Sequence, residues 1–361
     1  PARQATMSSE ASWQKVPMKI AYACPTAEGK FYRYCYVSDD GVRERDLLPG
    51  EWLDDQILPG SVRCDRFEPS VTPVANARGR THMASLGEEG FELRRHAEAP
   101  VLPNFLEPEA YDAWLYRELL PKMAELVYLA AEESYGHVDA VHVIDYTLRA
   151  TDASEINATS SIDAKNVVME AHADFTRESG KRRAQSEKVV FKLGEARPIK
   201  PEDNLLLINA WQPLVQTVRR VPLAVCDIRS LSDDDLVRKA MFFKGRDGET
   251  YNLKRNGAQK WWYYKDMQVG EALLFVSWSP EGRTTPHTAV EDPTDPDDAP
   301  PRRSMEVRCV VRFAEHTNQS LVGRLKAKFT GGSRATWKVL VLCSLALAVG
   351  LWAQLSEAAP S

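Results

Sequence analysis

The chain has 361 residues, 43% hydrophobic and 27% charged, a globular balance that excludes disordered, collagen-like and small disulfide-stapled classes. A formal net charge of −5 gives no global attraction to a phosphate backbone, so no nucleic-acid partner is expected. Six cysteines without a CxxC pair fit neither a zinc ribbon nor a disulfide framework, and reduced, packed thiols are expected.

Residues 1–15 are polar and read as a flexible N-terminus, with no apolar leader to route the body of the chain into a secretory lumen. A cytosolic body is expected. From Met18, KIAYAC, a PTAEG turn and FYRYCYV alternate apolar and polar residues, which predicts a β-hairpin; a turn-rich stretch follows to about residue 80. Between Pro108 and Ser134, Trp114, Leu115, Leu119, Met123, Leu126, Val127 and Ala130 recur at three- and four-residue spacings, predicting a long helix with one apolar face. β-rich runs then take over: VDAVHVIDYTL, KNVVMEAHADF, EKVVFKL, NLLLINAW, PLAVCDI, WWYYKDM, EALLFVSW and SMEVRCVVRF. Eight candidate strands with few helical interruptions predict a sandwich or jelly-roll. The acidic, proline-rich EDPTDPDDAPP, residues 291–301, reads as a solvated loop between the last two.

The end of the sequence differs in kind. Residues 321–336 form a basic linker, and residues 337–355 are apolar and just long enough to cross a hydrocarbon core of about 30 Å. With the positive charge on the N-terminal side, a C-terminal transmembrane anchor is expected, holding a cytosol-facing domain on an intracellular membrane. The alternative is an apolar helix packed on the domain or on a second subunit.

Seven histidines limit the choice of site, and two stand in HxD spacing. On a strand, residues i and i+2 project to one face, so HxD aims an imidazole and a carboxylate at one point. His172 and Asp174 end the apolar run VVMEAHADF, where a polar pair opens onto a cavity, whereas His137 and Asp139 follow Tyr135-Gly136 and read as turn or cap residues. A 2-His-1-carboxylate site on Fe(II) needs one more imidazole and leaves three positions open. His287, in TTPHTA just after EALLFVSW, is the candidate. Further on, Arg302 and Ser304 lead into the final strand, and a guanidinium and a hydroxyl two residues apart can fork a carboxylate, as the far end of a dicarboxylate cosubstrate requires.

This order of HxD, distal His and Arg-x-Ser resembles the Fe(II)/2-oxoglutarate-dependent oxygenases, whose fold is a double-stranded β-helix. More closely, VMEAHADFT, INAWQPLVQTVRRVPLAVCDIRSLSDDDLV, KWWYYKDMQVGEALLFVSW and TPHTAVEDPTDPDDAPPRRSMEVRCVVRF resemble a fungal hydroxylase/desaturase family of secondary metabolism, which includes aspergillic-acid hydroxylase-like and gibberellin desaturase-like proteins. The resemblance covers roughly residues 18–315 and implies a mainly β fold with flanking helices and a double-stranded β-helix core, a domain placed at residues 16–320; the apolar helix expected at 337–355 lies beyond it. It implies Fe(II) on His172, Asp174 and His287, 2-oxoglutarate on Arg302 and Ser304 with Asn209 of INAWQP nearby, and O2 as oxidant. Arg302 lies farther beyond the distal His than is usual in these oxygenases, which leaves Arg308 and Arg149 as alternative clamps. The implied activity is hydroxylation, desaturation or cyclisation of a small secondary metabolite, and Asp174 argues against halogenation, which needs a small residue there. Two rivals are a same-fold iron oxidase or isomerase that uses no 2-oxoglutarate, and a catalytically inactive, membrane-tethered binding protein.

Overall fold

The computed structural model of the chain describes residues 15–24, 34–37, 67–80, 82–100, 108–152, 165–186, 188–195, 197–243, 246–296 and 298–314. The strands in the first half are β1 (Lys15–Ala23), β2 (Tyr34–Val37), β3 (Phe67–Asn76), β4 (Phe91–Arg95), β5 (Val138–Ala150), β6 (Lys165–Asn166), β7 (His172–Ala173) and β8 (Phe191–Gly194). The second half adds β9 (Leu205–Pro213), β10 (Leu223–Cys226), β11 (Leu236–Phe243), β12 (Arg246–Leu253), β13 (Trp261–Tyr263), β14 (Glu271–Trp278), β15 (His287–Ala289) and β16 (Arg303–Phe313). Helices α1 (Pro108–Trp114), α2 (Leu120–Tyr135) and α3 (Arg177–Ala184) complete the described elements of length, with a π turn over Leu115–Leu119 joining α1 to α2.

Two sheets result. One runs in the order β1-β3-β13-β10-β15-β7-β12-β11-β2, the other β4-β14-β9-β16-β5-β6, with β8 also on β5. Alternation sorts the second sheet's side chains. Leu206, Ile208 and Ala210 of β9, Ala272, Leu274 and Val276 of β14, and Met305, Val307, Cys309 and Val311 of β16 pack with Leu119, Met123 and Val127 of the α1–α2 helix on the outer face. Their neighbours Trp211, Leu273 and Phe275 meet Leu223, Val225, Trp262 and Tyr264 of the first sheet. Trp261 and Tyr263 point the other way, into a cluster with Met18, Ile20 and Tyr22, as the two-residue period requires. The mainly β, near-barrel arrangement with few helices is the expected class.

The long helix lies where its spacing puts it and stops at Gly136, whose positive φ of 74° and N–H bond to the Glu132 carbonyl close it. His137 follows at a φ of 56°, and Asp139 Oδ2 accepts from Arg312 Nε at 2.7 Å, so this HxD pair ends a helix and anchors a strand.

Several expectations are corrected. The hairpin from residue 18 does not form, because β1 pairs antiparallel with β3 over nine positions while β2 runs parallel to β11. The apolar face of β1 needs a partner of its own length, and the four residues of β2 cannot supply one. The stretch to residue 80 contains β3 despite Pro69 and Pro73, which stand opposite Ala21 and Pro17 at ladder positions that ask no N–H of them. KNVVMEAHADF is not one strand but β6 and β7, and WWYYKDM is strand only to Tyr263, the chain turning at Asp266 with a φ of 51°. The loop at 291–301 is mostly exposed, yet Asp292 is buried and accepts from Tyr263 Oη at 2.8 Å and Lys265 Nζ at 3.2 Å. The N-terminal residues 1–14, the basic linker 321–336 and the apolar segment 337–355 lie outside the described residues. Among the described residues no helix is long and apolar enough to cross a membrane.

Candidate active site

β7 is only two residues long, but it sits between β12 and β15, and its register sets His172 directly opposite His287. Opposed residues on neighbouring strands share a face, and Asp174, two residues after His172, joins them. The three side chains offer ligand atoms that all lie within 4.8 Å of one another. His172 Nε2 is 3.7 Å and His287 Nε2 3.9 Å from Asp174 Oδ1. The ring centroids of the two histidines are 4.4 Å apart, with Phe275 packed 4.6 Å from His287.

The tautomers follow from the backbone. His172 Nδ1 lies 2.8 Å from the Glu170 carbonyl and His287 Nδ1 3.1 Å from the Thr285 carbonyl. A carbonyl only accepts, so each Nδ1 carries the proton and each Nε2 keeps its lone pair toward Asp174. Burial, helped by His287, holds His172 down to about 4; burial likewise lowers His287. Burial alone would raise Asp174, but Arg308 and the two imidazoles outweigh it and keep the carboxylate well below its usual range. Two neutral imidazole nitrogens and one ionised carboxylate fit a non-haem Fe(II) ion with three positions left open.

The inner face of β16 carries a polar row, Ser304, Glu306 and Arg308, continuing from Arg302 just before the strand. Across the sheet, Arg308 faces Asn209 of β9 and Asp145 of β5. The second pairing depends on a bulge in β5, where Ile144 is the extra residue between the partners of Arg308 and Cys309. The bulge gives Asp145, Thr147 and Arg149 the partners Arg308, Glu306 and Ser304. Arg308 Nε donates to Asp174 Oδ2 at 2.9 Å, Nη1 donates to Asp145 Oδ1 at 3.1 Å, and Nη2 pairs with Glu306. Asn209 Nδ2 donates to the same Asp174 Oδ2 at 2.7 Å. Burial raises Glu306 above its ordinary value despite Arg308.

Arg302 is 2% exposed. Its Nε donates to Ser304 Oγ at 3.0 Å and its Nη1 to the Val221 carbonyl at 2.7 Å, while the guanidinium lies 4.9 Å from the Trp211 ring centroid. Among the described residues it has no carboxylate partner, and burial, reinforced by Arg149, pushes its pKa down to about 9. Arg149 is only partly buried and donates to the Asn166 carbonyl at 2.7 Å.

Of the residues singled out in the sequence, His172, Asp174 and His287 converge, Asn209 joins them through Asp174, and Arg302 and Ser304 bond each other. Arg308 is committed to three carboxylates rather than available as a clamp. Glu306, Asp145 and Trp211 complete the surroundings. Glu306 and Arg308 had a signal in the alternation RxSxExR, but Asp145 depends on a bulge that no spacing reveals.

A family model described as an oxidoreductase/YMDC permease-like domain matches residues 54–312. The hydroxylase/desaturase efuI of Hormonema carpetanum is 27% identical over 84% of this chain and 100% of its own. The hydroxylase/desaturase asaB of Aspergillus flavus is 37% identical over 30% of this chain and 56% of its own. The Fe(II)/2-oxoglutarate-dependent dioxygenase nvfI of Aspergillus novofumigatus is 35% identical over 28% of this chain and 39% of its own. A solved structure of the iron and alpha-ketoglutarate-dependent endoperoxidase NvfI superposes with a TM-score of 0.60 at 21% identity, covering 84% of this chain and 99% of that one, a likeness of fold.

Proposed function

Since the chain belongs to the oxidoreductase family matched over residues 54–312, and with its fungal hydroxylase/desaturase relatives to the Fe(II)/2-oxoglutarate-dependent oxygenases, we propose that His172, Asp174 and His287 hold Fe(II), and that Arg302 with Ser304 holds 2-oxoglutarate. The two sheets then form the double-stranded β-helix of these enzymes. Bound iron and 2-oxoglutarate supply the oxidising chemistry, O2 being consumed as the cosubstrate becomes succinate and CO2. The chain's own part is to hold two Nε2 lone pairs and one carboxylate oxygen on the metal, and to bind the far carboxylate of the cosubstrate.

One observation carries the cosubstrate reading: a buried guanidinium that has no carboxylate partner among the described residues, at the start of the polar row of β16 whose Arg308 reaches Asp174. Burying an unpaired charge is costly, and a dicarboxylate completes the pair. Arg149 is a weaker candidate because it is partly exposed, and Arg308 because it is already paired. The substrate is a small organic molecule that is hydroxylated, desaturated or cyclised; the names of the hydroxylase/desaturase relatives support the first two outcomes. Incubation with Fe(II), O2 and 2-oxoglutarate should yield succinate. Turnover of a substrate without succinate would instead favour the iron oxidase or isomerase reading. The intact triad speaks against an inactive binding protein. The apolar composition of residues 337–355 supports a membrane anchor, checked by whether the full chain stays with membranes through an alkaline carbonate wash.

A further inference from the structure

The two oxygens of Asp174 stand in different surroundings. Oδ1 faces the imidazoles. Oδ2 accepts two hydrogen bonds, from Arg308 Nε at 2.9 Å and Asn209 Nδ2 at 2.7 Å. Both donors are themselves fixed. Arg308 is gripped by Asp145, Glu306 and Thr147 Oγ1, the last at 3.3 Å, and Asn209 is fully buried with Nδ2 also 3.3 Å from Glu306 Oε1. Asp145 also pairs with Arg183 of α3 at 2.6 Å, so the helix that follows Asp174 is tied back into the same network.

We propose that Arg308 and Asn209 are positioning residues that hold Asp174 in a one-oxygen binding mode, so that a metal on the triad keeps three positions for cosubstrate and oxygen. This rests on the iron reading and adds what the carboxylate is prevented from doing. A carboxylate can take a metal through one oxygen or two, and a second oxygen here would fill one of the three open positions. Rotating Oδ2 onto the metal would break both hydrogen bonds, one of them charge-assisted and buried, the stronger kind. Removing Arg308 also removes a positive charge beside the metal, which favours retention of the cation. Loss of positioning should therefore leave metal binding intact and weaken cosubstrate chelation, whereas loss of mere structural support would weaken both.

The test uses the full chain with Co(II), whose visible bands report its ligands, followed by titration with 2-oxoglutarate. Arg308→Gln should bind Co(II) no more weakly than the parent, unlike an outer-shell substitution that loosens the metal itself, yet bind 2-oxoglutarate about 10-fold more weakly. Asn209→Ala removes a neutral donor to the same oxygen and should shift 2-oxoglutarate affinity in the same direction by less. It decides the matter if Arg308→Gln does not fold. Unchanged 2-oxoglutarate affinity in both variants overturns the proposal. So does a loss confined to Arg308→Gln, which assigns the effect to charge, and so do Co(II) and 2-oxoglutarate affinities that fall together with the melting temperature of the metal-free protein. If the parent chain binds neither Co(II) nor 2-oxoglutarate, the iron reading itself fails.

Discussion

His172, Asp174 and His287 each offer one of the three ligand atoms proposed for the metal, so His172→Ala, Asp174→Ala and His287→Ala should each abolish iron-dependent succinate formation without unfolding the chain. Iron content and circular dichroism of the purified variants check this, and a variant with full turnover leaves the triad. His137→Ala should retain turnover, because His137 ends a helix at a positive φ and is not among the three residues whose ligand atoms converge. Arg302→Ala would remove one side of the proposed buried charge pair, a loss of about 3 to 5 kcal/mol, which should raise the KM for 2-oxoglutarate by about 10² to 10³·⁵ with iron still bound. An unchanged KM redirects the assignment to Arg149. The three residues that converge are legible because HxD at the end of an apolar run, and a histidine just after an apolar strand, are sequence-local signals. The bonds from Arg308 and Asn209 to Asp174 were not, since they depend on cross-strand register and on one inserted residue in β5.

At the scale of elements, long runs read well and short ones did not. The α1–α2 helix, β5 and β16 carry their own periodicity over enough residues to declare it, and β9 and β14 declare themselves as long, wholly buried runs. By contrast β7 and β15 have two and three residues and exist as strands only because neighbours pair with them, which no local pattern encodes. Helix α3 was missed because its face is polar, although Thr176 and Ser179 form a capping box at its start. This helix also packs closely against β14 at Gly180. A Cβ on Gly180 would lie 2.2 Å from Trp278 Cδ1, and Trp278 is buried with its Nε1 donating to the Arg177 carbonyl at 2.8 Å. Alanine raises helix propensity by about 1 kcal/mol, but overpacking costs about 1 to 3 kcal/mol, so Gly180→Ala should destabilise the protein in chemical denaturation. A gain in stability would show that Trp278 can move aside.

Over the whole molecule, three buried histidines and the half-buried His172 share one electrostatic habit. Burial lowers His96, His142, His172 and His287, His142 and His172 to about 4. Unfolding releases them to titrate near 6.5, so between about pH 6.5 and 4 the unfolded chain binds more protons than the fold. The stability of the metal-free protein should therefore fall as pH drops through that window, seen as a falling denaturation midpoint. A level midpoint would show that these imidazoles are not held neutral. A chain shortened to end at Ser320 should keep turnover, since the proposed ligands and Arg302 all precede that point. The most direct test of the metal and cosubstrate assignment is an anaerobic titration of the full chain with Fe(II) and then 2-oxoglutarate, followed by visible absorption. A weak charge-transfer band should grow only when both are present and saturate at one equivalent of each. No band at saturating concentrations of both would contradict iron and 2-oxoglutarate sharing the site at His172, Asp174 and His287.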